Sequence, residues 1–159
     1  MGSVRVINAR EADKPVLRHL LELYQHDFSE FDGRNVDDHG LYGYPYLDHY
    51  WVESDRRPFL FDVGGRWAGF ALVRLGPRID MSEFFVLRRF RRSGVGRDAA
   101  LQIFRMLPGP WQLRQLTGNP DATKFWRRII PVDFTEVEGA EGPVQPFVIM
   151  ASDGTTAET

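Results

Sequence analysis

The chain has 159 residues, 43% hydrophobic and 26% charged, which fits one soluble globular domain with its own core. Twenty Lys+Arg against 22 Asp+Glu leave a formal net charge of −2, without the basic excess of a sequence-independent nucleic-acid binder, so nucleic acid is not expected as a partner. There is no cysteine, which removes disulfide frameworks, thiolate metal sites and cysteine nucleophiles together and suits a reducing cytoplasm.

No apolar run approaches the roughly 20 residues of a membrane-spanning helix, and the N-terminus lacks the basic-then-apolar layout of a secretory signal. A cytoplasmic location without a membrane partner is expected. The domain is expected over residues 1–151. The small, polar residues 152–159 are expected to form a flexible tail.

In chain order, residues 4–7 alternate as a short strand does. Leu17, Leu20, Leu21, Tyr24 and Phe28 follow helical spacing, which predicts an amphipathic helix over 13–28 with Pro15 tolerated in its first turn. Residues 29–45, rich in Gly, Asp and Tyr, read as an irregular loop, and a short helix is expected over 46–52. Two apolar, aromatic-rich runs, 59–63 and 67–75, flank Gly64-Gly65, a hairpin signal because both positions accept positive φ. The second run hardly alternates and reads as an interior strand covered on both faces. A third strand is expected over 79–87.

A helix over 94–107 follows, ended by Pro108-Gly109-Pro110, and then a strand over 111–116. Asn119-Pro120 opens the next helix, Asn as N-cap and Pro at the first helical position. Its apolar face is Ala122, Phe125, Trp126 and Ile129. Strands near 133–137 and 145–151 complete the order β-α-(α)-β-β-β-α-β-α-β-β. The expected class is α/β (α+β): a mixed, mostly antiparallel sheet flanked by helices.

The chemistry is concentrated in Arg91-Arg92-Ser93-Gly94-Val95-Gly96-Arg97, between the third strand and the next helix. The two glycines let the chain turn tightly and let a ligand approach the backbone without meeting a Cβ. The first amides of the following helix have no intrahelical partners and point, with the helix dipole, at one place. Arg91, Arg92 and Arg97 add full charges. This is an anion site suited to a diphosphate. It is not the nucleoside-triphosphate loop, because no Gly-Lys-Ser/Thr is present, and the first strand-to-helix turn lacks the glycine triplet of a dinucleotide fold.

Arg91-x-x-Gly94-x-Gly96 resembles the Gln/Arg-x-x-Gly-x-Gly/Ala signature of the GNAT acetyltransferases, and Asn119-x-x-Ala122-x-x-Phe125-Trp126 is similar to that family's Asn-x-x-Ala-x-x-Phe/Leu-Tyr segment. The order of elements agrees over nearly the whole chain, and Phe84-Phe85-Val86 and Pro108-Gly109-Pro110-Trp111 look like an uncharacterised bacterial branch. The resemblance implies splayed central strands with acetyl-CoA between them as cosubstrate. Backbone amides of Arg92, Ser93, Gly94, Val95, Gly96 and Arg97 would hold its pyrophosphate. The strand end Phe85, Val86 and Leu87, with Asn119 and Phe125, would meet its pantetheine arm. No metal is expected, and a homodimer is compatible with the family.

The implied activity is N-acetylation of a primary amine by direct attack. The amine must lose a proton before it attacks, and Glu83, beside Phe84 and Phe85, is the candidate base, with Asp80 as the alternative. The family's Tyr, which often protonates the leaving thiolate, is replaced by Trp126, whose indole N–H is not an acid. That departure keeps open a second class, a non-catalytic acyl-CoA-binding or sensing domain. For the acceptor, a small-molecule or peptide amine, the acidic and aromatic run after the first helix offers Asp27, Glu30 and Tyr44, which suit a cation.

Overall fold

The computed structural model describes residues 2–152. Its strands are β1 (Val4–Asn8), β2 (Arg56–Val63), β3 (Arg66–Arg74), β4 (Ile79–Val86), β5 (Gly109–Arg114), β6 (Val137–Glu138) and β7 (Pro143–Ile149); its helices are α1 (Lys14–Asp32), α2 (His49–Val52), α3 (Val95–Met106) and α4 (Pro120–Ile129). They form one seven-stranded sheet in the order β1-β2-β3-β4-β5-β7-β6. All pairs are antiparallel except β4–β5. The expected class, mixed and mostly antiparallel with flanking helices, is the one observed.

β3 joins the two cores, as its unbroken apolar run predicts. On one face Leu17, Leu20 and Leu21 of α1 and Tyr50 of α2 pack on Leu60, Phe70, Leu72 and Phe85. On the other, Val95, Ala99 and Ile103 of α3 and Trp126 and Ile129 of α4 pack on Phe59, Phe61, Val73 and Trp111. Burying a large side chain of this kind is worth roughly 1.5–3 kcal/mol. The Gly64-Gly65 turn has φ of 59° and 81°, the two positive values a two-residue hairpin demands.

The boundaries differ from the sequence reading in three places. Helix α1 runs through Asp32, one turn past the last apolar residue of the pattern, and stops at Gly33 with φ 69°. Phe31, three residues after Phe28, continues the spacing and packs edge-on against it with centroids 5.8 Å apart, so the apolar pattern reaches one turn further than the sequence reading took it. Only 49–52 of the expected 46–52 helix is helical. The strand expected at 133–137 is irregular up to Val137, and β6 consists of two residues paired to β7. The tail expected from residue 152 lies, apart from Ser152, outside the described residues.

The central feature is the parallel pair β4–β5. It is joined only at Ile79–Trp111 and Asp80–Gln112, and the strands then separate. The splay implied by the family resemblance is therefore present. Opposite the gap, β4 keeps its pairing with β3, with an irregularity at Leu72/Val73 that leaves Ser82 as an extra residue. The bulge resets the alternation of β4. Met81 and Phe84, three apart, both belong to the α3 face, while Glu83 lies beside Tyr44 on the other.

Candidate active site

The turn after β4 is built from backbone. The Leu87 amide still donates to Ala68 of β3 at 2.8 Å, and the Phe90 amide donates to the Leu87 carbonyl at 2.9 Å. Arg92 then takes φ 60° and Gly94 φ 83°. A non-glycine residue held in the left-handed region costs about 1–2 kcal/mol, and successive amides in such a turn form an anion-binding concavity. Ser93 Oγ donates to the Phe90 carbonyl at 2.7 Å, so this hydroxyl holds the turn. Among the described residues, the amides of Arg92 through Arg97 donate to no protein acceptor, and α3 has no side-chain N-cap.

The two glycines have separate roles. A Cβ on Gly94 would meet nothing within 4 Å, so packing does not require a glycine there. A Cβ on Gly96 would lie 3.3 Å from Phe125 and 3.4 Å from Val86, so its smallness lets α3 approach α4 and β4. Phe125 accordingly packs on the turn, and the Val95 side chain is in the core. Arg91 is committed internally: its Nε donates to the Val86 carbonyl at 2.8 Å and its Nη2 pairs with Asp27 at 2.7 Å. Arg92 and Arg97 are exposed, with no ion pair among the described residues.

The bond from Leu87 to Ala68 also fixes which groups of β4 face the gap. Backbone direction alternates along a strand, so Phe85 and Leu87 use theirs toward β3, while those of Phe84 and Val86 turn toward the gap. With the Val86 carbonyl taken by Arg91, the Phe84 N–H and C=O and the Val86 N–H remain for a ligand. Phe85, expected at the cofactor, instead packs its ring under α1 beside Tyr24 and Phe70.

The gap opens into a cavity of about 770 Å³ bounded by α1, residues 44–46, Met81–Phe84 of β4, the end of β5 and residues 139–142. Glu83 and Tyr44 line it. Tyr44 Oη donates a long, 3.4 Å bond to Glu83 Oε1. Burial raises the Glu83 carboxyl above the ordinary carboxylate range, against opposing hydrogen bonds from Tyr24 and Tyr44. Burial, then the charge of Glu83, pushes the Tyr44 phenol far above its usual value. A buried carboxyl shifted upward in this way holds a proton more readily than an exposed one. Asp80, the alternative, lies where β4 and β5 still pair and is held by Arg114 at 2.5 Å.

Trp126 is buried edge-on to Phe84 with centroids 4.9 Å apart, a packing residue on the cavity wall. Asn119 also lines the cavity, and its Oδ1 accepts from the Ala122 amide at 3.3 Å as the cap of α4.

The acceptor residues read from the sequence are not brought together. Asp27 lies between Arg88, 2.8 Å away, and Arg91; burial pushes its carboxyl up, but hydrogen bonds from Arg91 and Arg88 outweigh this and hold it low. It braces the turn and stands outside the cavity. Glu30 is exposed on α1, also away from the cavity. Tyr44 alone of the three faces it. The sequence reading missed Tyr24, Arg34, Arg114 and Glu141 on the wall, whereas Tyr46 belongs to the aromatic run it marks for the acceptor. The spacing of Tyr24 marks it only as part of the apolar face of α1, and the others lie on separate elements with no shared motif.

A splayed sheet, an amide cradle at the mouth of the gap and a buried carboxylate inside it form one continuous cleft. The chain belongs to the GNAT family of acetyltransferases, whose family model matches residues 17–129. Solved structures agree on the fold. An acetyltransferase from Thermus thermophilus superposes with TM-score 0.72 at 19% identity, covering 92% of this chain and 96% of that one. The ribosomal-protein-S18-alanine N-acetyltransferase from Escherichia coli has TM-score 0.65 at 13% identity, covering 98% and 99%. The PaiA N-acetyltransferase from Thermoplasma acidophilum, in complex with coenzyme A, has TM-score 0.65 at 9% identity, covering 92% and 99%. No curated protein sequence matches the chain significantly. Among the described residues no helix is long and apolar enough to cross a membrane, and no cluster of three or more His, Asp or Glu could hold a metal ion.

Proposed function

We propose that this protein transfers an acetyl group from acetyl-CoA to a primary amine by direct attack in the gap between β4 and β5. The observation that carries the reading is the continuity of three features: free amides at Arg92–Arg97, an unpaired β4 edge at Phe84–Val86, and Glu83 on the cavity wall beyond it. The cradle fits a pyrophosphate because its donors are backbone, converge, and have open space above Gly94.

The amides of residues 92–97 hold the pyrophosphate, with Arg92 and Arg97 neutralising its charge. Phe84 and Val86 offer backbone groups to the amide-bearing arm. The cosubstrate supplies a thioester, an acyl carbonyl activated for attack. Glu83 takes the proton of the acceptor ammonium, directly or through one water, which frees the nitrogen lone pair. Nitrogen–carbon bond formation and carbon–sulfur bond cleavage leave a thiolate, which takes up, directly or through water, the second proton that the nitrogen sheds on becoming an amide; a thiolate is a weak enough base to depart without a strong acid. This accounts for a functional site without an acid at Trp126. Holding both reactants in one cleft removes the entropy cost of their encounter.

The test is to supply acetyl-CoA with a panel of primary amines and follow free thiol. Thiol release that depends on the amine is expected. Binding of acetyl-CoA without release for any amine would instead make the protein a non-catalytic acyl-CoA-binding domain.

A further inference from the structure

A second cavity, about 370 Å³, adjoins the cleft and shares Tyr44, Tyr46, Ser82 and Arg114 with it. The rest of its wall is Tyr50, Arg56, Arg74 and Asp80. Three guanidinium groups thus face one carboxylate.

Two features of this wall are unexplained by the fold. Arg56 and Arg74 are direct cross-strand partners on β2 and β3, a like-charge pairing that costs stability. Asp80 Oδ1 is buried with no hydrogen-bond partner, and the Tyr50 hydroxyl, on a side chain only 3% exposed, has Arg56, Ser82 and Tyr44 near it but no well-formed hydrogen bond to any of them. Buried polar groups are nearly always satisfied, so two orphans in one cavity mark the place of an absent partner. The arginines also have capacity left. Arg56 is tied through Nε to Glu53 at 2.6 Å, Arg114 through one Nη to Asp80, and Arg74 approaches Asp55 only to 3.8 Å. Neither Glu53 nor Asp55 lines the cavity.

We propose that this cavity is the anion subsite of the acceptor: the amine acetylated here carries a carboxylate or phosphate, held by Arg56, Arg74 and Arg114 with the Tyr50 hydroxyl donating to it. The shared wall at Ser82 places this subsite next to Glu83, so the anion anchors the molecule while its amine faces the base. Asp80 Oδ1 accepts an N–H or O–H of the same molecule. The guanidinium fork suits either oxyanion. The inference rests on the proposed acetyl transfer only for the reaction, not for the binding.

Matched acceptors separate the cases: ω-amino carboxylates and O-phosphoethanolamine against alkylamines and amino alcohols of equal length. Calorimetric titration reads binding without cosubstrate, and thiol release with acetyl-CoA reads turnover. The members that carry an oxyanion are expected to bind, and to be acetylated with kcat/KM about ten-fold or more above their partners that lack one. Whether carboxylates or phosphates lead identifies the oxyanion. Arg74→Gln and Tyr50→Phe should each abolish most of that preference. Both variants should keep the cooperative melting transition of the parent protein, so that a lost preference reads the subsite and not the fold. Amines without an oxyanion binding equally well, or a preference that survives both substitutions, would overturn the proposal. If no amine is acetylated but the oxyanion-bearing probes still bind through Arg74, the subsite stands and the proposed reaction fails.

Discussion

The two sides of the cleft are made of different materials. The proposed cofactor side is backbone: free amides from residues 92–97 and the unpaired edge of β4, positioned by a turn in which Ser93, Arg91 and Asp27 all brace the main chain. The proposed acceptor side is side chains, drawn from α1, α2, β2, β3, β4, β5 and the loop at 44–46. A backbone site depends on a few residues adjacent in sequence and tolerates most changes of side chain. A side-chain site depends on packing between distant segments and can change one residue at a time.

The comparison breaks most visibly at Gly94. Gly94→Val places a branched side chain in the space above the cradle at φ 83°. Acetyl-CoA affinity should fall by about 100-fold or more, while the protein stays folded at a cost of about 1–2 kcal/mol. Retained affinity in a calorimetric titration would move the cofactor elsewhere. On the other side, Glu83→Gln should lower kcat by about 10²–10⁴ with acetyl-CoA affinity unchanged, as expected for loss of a proton acceptor. Equal turnover in the variant would remove Glu83 from the reaction.

The pH profile sharpens the same contrast. Because burial raises the Glu83 carboxyl, the acid limb of kcat/KM should lie above the ordinary carboxylate range. Tyr44→Phe deletes a hydrogen bond that lowers it, so the limb should move further up; a downward move would contradict this. The same shift has a stability sign. A carboxyl raised on folding contributes stability below its unfolded value that is lost as pH rises through its folded value. Glu83→Gln should therefore melt above the parent protein at pH 8, with the advantage gone near pH 4.

The smallest effect lies away from the cleft. Glu136 is lowered to about 2, first by its hydrogen bond from Arg127 and then by that from Gln145. This stabilisation is complete above the usual carboxylate range and is lost as pH falls through about 2. Glu136→Gln should lower the neutral-pH melting temperature by about 2 °C or less, fading in acid, since the pair is at the surface.

This division also governs what the sequence shows. Gly94 and Gly96 between a strand and a helix, and Asn119-Pro120 before another, are local signals that lead directly to the cradle and the fold. The two-residue contact that releases β4 from β5 is not local, and neither is the bulge at Ser82 that turns Glu83 toward Tyr44. Asp27 sits among aromatics and acids and so reads as an acceptor residue, but Arg88 and Arg91, more than 60 positions away, claim it. Arg56, Arg74 and Arg114 share no spacing; only the sheet register brings them to one wall.

The central claim is that the turn after β4 is an acyl-CoA cradle, and the melting temperature of the protein against acetyl-CoA tests it most directly. A ligand that binds only the folded state at a hundred times its Kd adds about 2.7 kcal/mol, so a rise of several degrees at millimolar acetyl-CoA is expected, absent in Gly94→Val. An unchanged melting temperature for the parent protein at that concentration would contradict the account.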